Sequence, residues 1–202
     1  MLTDKLSPIL ELTNDVDESM IIAYEYFQTH IADRTKRPAL FDKEVYIECS
    51  ETIDDKPVGF WHMVSIEERH KFPKLLPCTN DPCIALCAQN CNEGTKQVTI
   101  KYGSETRNLC PYRASKLPWI LDIIKLANRD EASVKVWLKP GNKSASDKLY
   151  LRYNKYGYDY VLIFSVQRKF YRLISSFPVF YLSEKQELDE EYKQYEWSYF
   201  SK

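Results

Sequence analysis

Three histidines, His30, His62 and His70, are the natural candidates for proton transfer near neutral pH. His62 stands out among them. It lies inside Gly59-Phe60-Trp61-His62-Met63-Val64, where it would be poorly solvated and needs a hydrogen-bond partner. A satisfied core histidine is the plain alternative to a general acid or base. His30 near a helix end and His70 in a charged stretch read as surface groups. A second group is Arg113-Ala114-Ser115-Lys116-Leu117-Pro118-Trp119, with two cations three residues apart at the expected start of a helix. Helix N-terminal amides and a guanidinium both suit a phosphate. Basic residues that merely flank a helix fit the same spacing. A third group, Leu173-Ile174-Ser175-Ser176-Phe177-Pro178, ends an apolar strand with two hydroxyls, which either reach a cleft or close a turn. Finally Cys78, Cys83, Cys87 and Cys91, with Cys110 further on, bring four thiols within a short span. They could hold a structural zinc tetrahedrally, although the spacing is not that of a common zinc finger. Buried free thiols in a helical insert are the alternative.

The elements that must position these groups are legible in outline. Asn14 and Asp15 can cap a helix over about residues 15–32, because Val16, Met20, Ala23, Phe27 and Ile31 step by three or four. The run Arg34-Thr35-Lys36-Arg37-Pro38 ends it, and Val45 to Cys49 reads as a strand. Pro57 to Ser65 reads as a buried strand or strand end, and Gln97 to Tyr102 as a half-exposed strand. A helix is expected over Ser115 to Asn128 with Leu117, Ile120, Leu121, Ile124 and Ala127 buried. Four strands follow, Ser133–Leu138, Lys148–Tyr153, Tyr158–Val166 and Phe170–Phe177, most simply paired as an antiparallel meander. Ser183 and Gln186 form a capping box for a last helix. The expectation is an α+β fold: a central antiparallel β-sheet packed by N-terminal, middle and C-terminal helices. Residues 1–40 would form a helical arm and 41–202 the main domain, with a Cys-rich insert at about 77–93.

Composition sets the outer limits. The chain has 202 residues, enough to bury a core without disulfides, and its aromatic content of 14% is high while glycine numbers only 5. Met1 to Asn14 lacks the basic start and apolar run of a signal peptide, and no stretch of the chain is apolar enough to span a bilayer. A cytoplasmic protein without membrane contact is expected, with its six cysteines reduced or bound to metal. Net charge is only −1, yet Arg107 to Arg172 carries 14 Lys and Arg against 5 Asp and Glu. The acidic residues Glu184, Glu187, Asp189, Glu190, Glu191 and Glu196 crowd the last helix. A basic body with an acidic tail is compatible with phosphate binding, and equally with solvated faces of opposite sign.

Taken in order, these segments resemble bacterial and phage-associated toxin ribonucleases of the barnase, EndoU, colicin and RelE superfamily (the BECR fold), over residues 45–197. The resemblance is carried by Phe60-Trp61-His62, by Arg113, Ala114, Lys116, Leu117 and Trp119, and by Asp159-Tyr160-Val161-Leu162. Ser175-Ser176-Phe177-Pro178 and Glu190-Glu191-Tyr192 complete it. Ser175 stands where the pattern has Thr, Phe177 where it has Tyr, and Lys116 where it has Arg, so one phenol and one planar fork are missing. The family pattern implies metal-independent cleavage of RNA, in which the 2′-hydroxyl attacks the adjacent phosphate to leave a cyclic 2′,3′-phosphate and a 5′-hydroxyl. DNA, lacking that nucleophile, would be inert. By the same resemblance His62 is the general acid or base, Arg113 and Lys116 stabilise the phosphorane, and Ser175 orients a phosphate oxygen. Trp61, Trp119, Arg152, Tyr160 and Phe177 are then substrate-binding, the partners are RNA and a protein antitoxin or inhibitor, and no cofactor enters catalysis. The competing reading is a noncatalytic module that binds RNA or protein through the same basic, aromatic residues.

Overall fold

The computed structural model describes residues 4–13, 15–67, 99–102, 105–141, 145–179 and 182–196. The fold is α+β with a central sheet. No helix among the described residues is long and apolar enough to cross a membrane. The chain divides into two compact units, one of residues 1–7, 37–47 and 119–202, the other of residues 8–36 and 48–118.

In the second unit, α1 (Val16–Tyr26) runs into a π-helical turn, Phe27–Ala32. Asp15 caps it as expected, its carboxylate accepting from the amides of Asp17 at 2.9 Å and Glu18 at 3.0 Å. Val16, Ala23, Phe27 and Ile31 are buried, and the Phe27 and Tyr24 rings meet Phe60 edge-on at 5.4 and 5.1 Å. A tight hairpin, β2 (Thr52–Ile53) and β3 (Lys56–Pro57), turns through Asp54 and Asp55, both with positive φ. It leads into α2 (Val58–Val64), where the sequence suggested a strand. The reason is burial on every side: all its residues but His62 are buried, so no period of two or of 3.6 survives to be read. The amides of Val58 and Gly59 donate to Glu51 and Glu48 carbonyls at 2.9 Å, satisfying orphan donors of the first turn.

A three-stranded antiparallel sheet follows, in the order β4 (Ser65–Glu67), β6 (Glu105–Leu109), β5 (Thr99–Tyr102). The expected strand at 97–102 is therefore present over Thr99–Tyr102. A short α3 (Pro111–Ala114) and a turn at Ser115 and Lys116 precede α4 (Leu117–Asn128), which is the helix expected over Ser115 to Asn128. The boundary between the units falls inside α4, between Pro118 and Trp119.

The first unit holds the five-stranded sheet, in the order β1 (Glu44–Tyr46), β10 (Phe170–Pro178), β9 (Tyr158–Val166), β8 (Lys148–Lys155), β7 (Val134–Lys139). Strands β7 to β10 form the expected antiparallel meander. The edge strand β1 pairs parallel with β10, so the sheet is mixed. The last helix, α5 (Leu182–Tyr195), already includes Ser183, which is thus inside the helix and not its cap. Leu188 of α5 joins Trp137, Tyr150, Val161 and Val179 in one core cluster, with Phe177, Tyr192 and Tyr195 packed against it. Three acid–base contacts tie α5 to β7 and β8: Lys135 to Asp189 at 2.7 Å, Arg152 to Asp189 at 3.1 Å, and Lys139 to Glu191.

Candidate functional site

His62 sits in the last turn of α2, partly buried. The carbonyls at this helix end are held by arginine. Arg113 donates through Nη2 to the His62 carbonyl at 2.6 Å and through Nη1 to the Ser65 carbonyl. Arg107 donates to the Ser65 hydroxyl at 2.9 Å and to the Ser65 carbonyl at 3.2 Å, and it approaches the Glu67 carboxylate at 3.5 Å. The Ser65 hydroxyl in turn donates to the Trp61 carbonyl at 2.5 Å. Cations at a helix C-terminus oppose its partial negative charge, which accounts for two guanidiniums gathering here. Arg107 and Ser65 were invisible to sequence reasoning, since neither belongs to any motif. Their meeting depends on the pairing of β4 with β6, which sets Ser65 opposite Leu109 and Glu67 opposite Arg107.

Arg113 is 6% exposed, and in this arrangement it positions α2 and His62. Lys116 is 0% exposed; its ammonium lies 3.1 Å from the Tyr112 ring centroid and 3.4 Å from the Tyr112 carbonyl. Arg113 belongs to α3, while Lys116 immediately precedes Leu117, the first residue of α4. The amides of Ala114, Ser115 and Lys116 donate to Cys110, Pro111 and Arg113 carbonyls at 2.9, 2.9 and 3.1 Å, so none of the three is turned to a ligand. The reason is local: Cys110 caps α3 and Pro111 starts it, placing a complete turn before α4. Trp61 is buried, and its indole N–H donates to the Ile53 carbonyl at 2.8 Å.

The remaining sequence-derived residues belong to the other unit. Ser175 follows a register shift of β10 between Leu173 and Ser175 and is partly buried. Phe177 is partly buried against the Trp137 cluster. Arg152 is 1% exposed and grips Asp159 with two hydrogen bonds of 2.8 and 2.7 Å. It also reaches Asp189 and, at 3.4 Å, the Lys185 carbonyl. Burial opposes the Arg152 charge, but Asp159 and Asp189 outweigh it and hold its pKa above the usual arginine value. The Lys135 hydrogen bond holds the Asp189 carboxyl below its ordinary range. Tyr160 is fully buried and meets Trp119 edge-on at 5.6 Å, while the Trp119 N–H donates to the Ser7 carbonyl at 3.0 Å.

The structure thus brings Arg113 against His62, and Tyr160 against Trp119. Sequence reasoning missed the contacts of Asp4, whose carboxylate meets Lys155 and the Tyr156 hydroxyl. The signal available was the Tyr156-Gly157 pair between two strands, a hairpin turn with an aromatic where Asn is usual. Cys78, Cys83, Cys87, Cys91 and His70 lie outside the described residues. Among the described residues no group of three or more His, Cys, Asp or Glu could hold a metal ion. No protein-family model, no curated protein and no solved structure matches this chain.

Proposed function

We propose that this protein is a metal-independent endoribonuclease that makes the RNA 2′-hydroxyl attack the adjacent phosphate. His62 serves as the general acid or base, and Arg113 and Lys116 supply positive charge for the phosphorane oxygens. The observation that carries the reading is His62 itself: the one residue of α2 that is not fully buried, at a helix end fixed by Arg113. His30 is exposed, its Nδ1 3.2 Å from the Tyr26 carbonyl on its own helix, and makes a weaker candidate. Arg113 and Lys116 would each have to exchange an internal acceptor for a phosphate oxygen. Ser175, Trp61, Trp119, Arg152, Tyr160 and Phe177 keep their proposed parts on the sequence pattern alone. The same reading puts the protein in the cytoplasm under a protein antitoxin or inhibitor. Zinc on Cys78, Cys83, Cys87 and Cys91 would have a structural part and none in cleavage.

The burial of Arg113, Lys116 and Arg152, each on an internal acceptor, counts against a phosphate role for these three and leaves a second reading, a noncatalytic module that binds RNA or protein through other residues. Incubating total RNA with the protein in excess EDTA, beside His62→Ala, separates the two. Fragments ending in cyclic phosphate from the wild type alone support cleavage by His62. Intact RNA throughout, with the RNA bound, supports the module.

A further inference from the structure

The hairpin between β8 and β9 turns through Tyr156 and Gly157, with φ of +55° and +82°, closing Lys155 onto Tyr158. A tyrosine strains the first of these positions, which Asn or Gly fills more cheaply. Strain retained beside an exposed aromatic points to use of the side chain. Tyr156 is 53% exposed and Tyr158 42%, with one edge contact of the Tyr158 ring to Trp119 at 4.9 Å.

Residues 4–7 lie against this hairpin through polar contacts. The Asp4 carboxylate pairs with Lys155 through one oxygen and accepts from the Tyr156 hydroxyl at 2.9 Å through the other. The Asp4 carbonyl accepts from the Tyr153 hydroxyl at 3.2 Å. Ser7 donates its amide to Asp122 at 2.7 Å and accepts from Trp119. The Lys155 and Lys5 ammonium groups stand 5.1 and 5.8 Å from the Tyr156 ring centroid. No side chain from Asp4 to Ser7 is fully buried, so salt and competing anions can loosen the segment.

We propose that the Asp4 carboxylate occupies a phosphate site, and that Lys155 and Tyr156, with the exposed Tyr158 ring, bind single-stranded RNA when residues 4–7 move aside. This rests on the RNA reading above. A phosphodiester offers the same two anionic oxygens that Asp4 now presents, one to an ammonium and one to a phenol. Burial first, then the Asp4 charge, pushes the Tyr153 hydroxyl up to about 12, so it stays protonated and keeps its hydrogen bond to the Asp4 carbonyl across the working pH range. A base stacked on Tyr156 takes the place of one of the two ammonium groups, with no demand on base identity. The Asp4 segment thereby acts as an internal competitor of RNA.

The test uses the full chain and a fluorescent 2′-O-methyl oligoribonucleotide of about 12 nucleotides, which lacks the nucleophile and cannot be cleaved. Fluorescence anisotropy compares wild type, Asp4→Asn, Tyr156→Asn, and Asp4→Asn combined with Lys155→Ala. Asp4→Asn should bind at least about threefold tighter at low salt, and Lys155→Ala in that background should reverse the gain. Tyr156→Asn, whose turn is relieved and whose folding is checked by circular dichroism, should bind more weakly. Equal affinity for all four proteins, or Asp4-dependent capture of an oligoglutamate peptide with none of the oligonucleotide, overturns the proposal. Because no cleavage is read, loss of the ribonuclease reading leaves this result standing, and cleavage without an Asp4 effect removes this proposal alone.

Discussion

Replacing Arg113 with alanine probes the helix clamp directly. Its Nη2 donates to the His62 carbonyl at 2.6 Å and its Nη1 to the Ser65 carbonyl, in a setting 6% exposed. The Ser65 carbonyl keeps Arg107 at 3.2 Å, so the loss falls chiefly on His62. Taking the donor from this partly buried carbonyl costs roughly 1–3 kcal/mol. Losing the buried alkyl stem adds about 1 kcal/mol, for a total of about 2–4 kcal/mol. Lysine keeps the charge but not the fork, and should recover about half of that. Urea unfolding followed by tryptophan fluorescence and circular dichroism gives both midpoint and slope. A loss below about 1 kcal/mol, or a Lys variant no better than Ala, would refute the clamp. Unchanged stability with lost RNA cleavage would instead assign Arg113 to the phosphate.

Other consequences follow from the first unit. Arg152→Ala leaves the Asp159 carboxylate, 6% exposed, with the Asn154 amide at 3.4 Å in place of its ion pair and should cost about 3–5 kcal/mol in urea unfolding, whereas Arg152→Met with Asp159→Leu should cost much less. Asp189 is held below its ordinary pKa, so its contribution is present above about pH 4 and is lost as pH falls through the lowered value. Asp189→Asn should therefore show a shallower loss of stability on acidification, read from unfolding midpoints across that window, and an unchanged slope would contradict the assignment. Tyr156→Asn should raise stability by about 1 kcal/mol by relieving the left-handed backbone, and no gain in melting temperature would mean the turn is unstrained.

What could be read in advance follows from how local each signal is. Strands β7 to β10 were legible because alternation and turn residues write a meander into consecutive sequence. The parallel docking of β1 on β10 was not, since Glu44 meets Phe170 across a long stretch of chain with no local mark. His62, Arg113 and Lys116 were singled out as residue types, but their settings were not. An element buried all round, α2, looks alike as strand or helix, and the extra turn of α3 takes Arg113 away from the start of α4 while Lys116 stays just before it. The Asp4 contacts escaped because irregular chain held by polar groups leaves no periodic trace.

The most direct measurement of the central claim is single-turnover cleavage of a defined oligoribonucleotide in excess EDTA by wild type and His62→Ala, with a matched strand carrying one 2′-deoxy residue at the cleaved position. Cleavage by the wild type alone, ending in a 2′,3′-cyclic phosphate and blocked by the deoxy substitution, is the predicted result. Equal cleavage by His62→Ala, or no cleavage by a folded wild type that binds the strand, would contradict it.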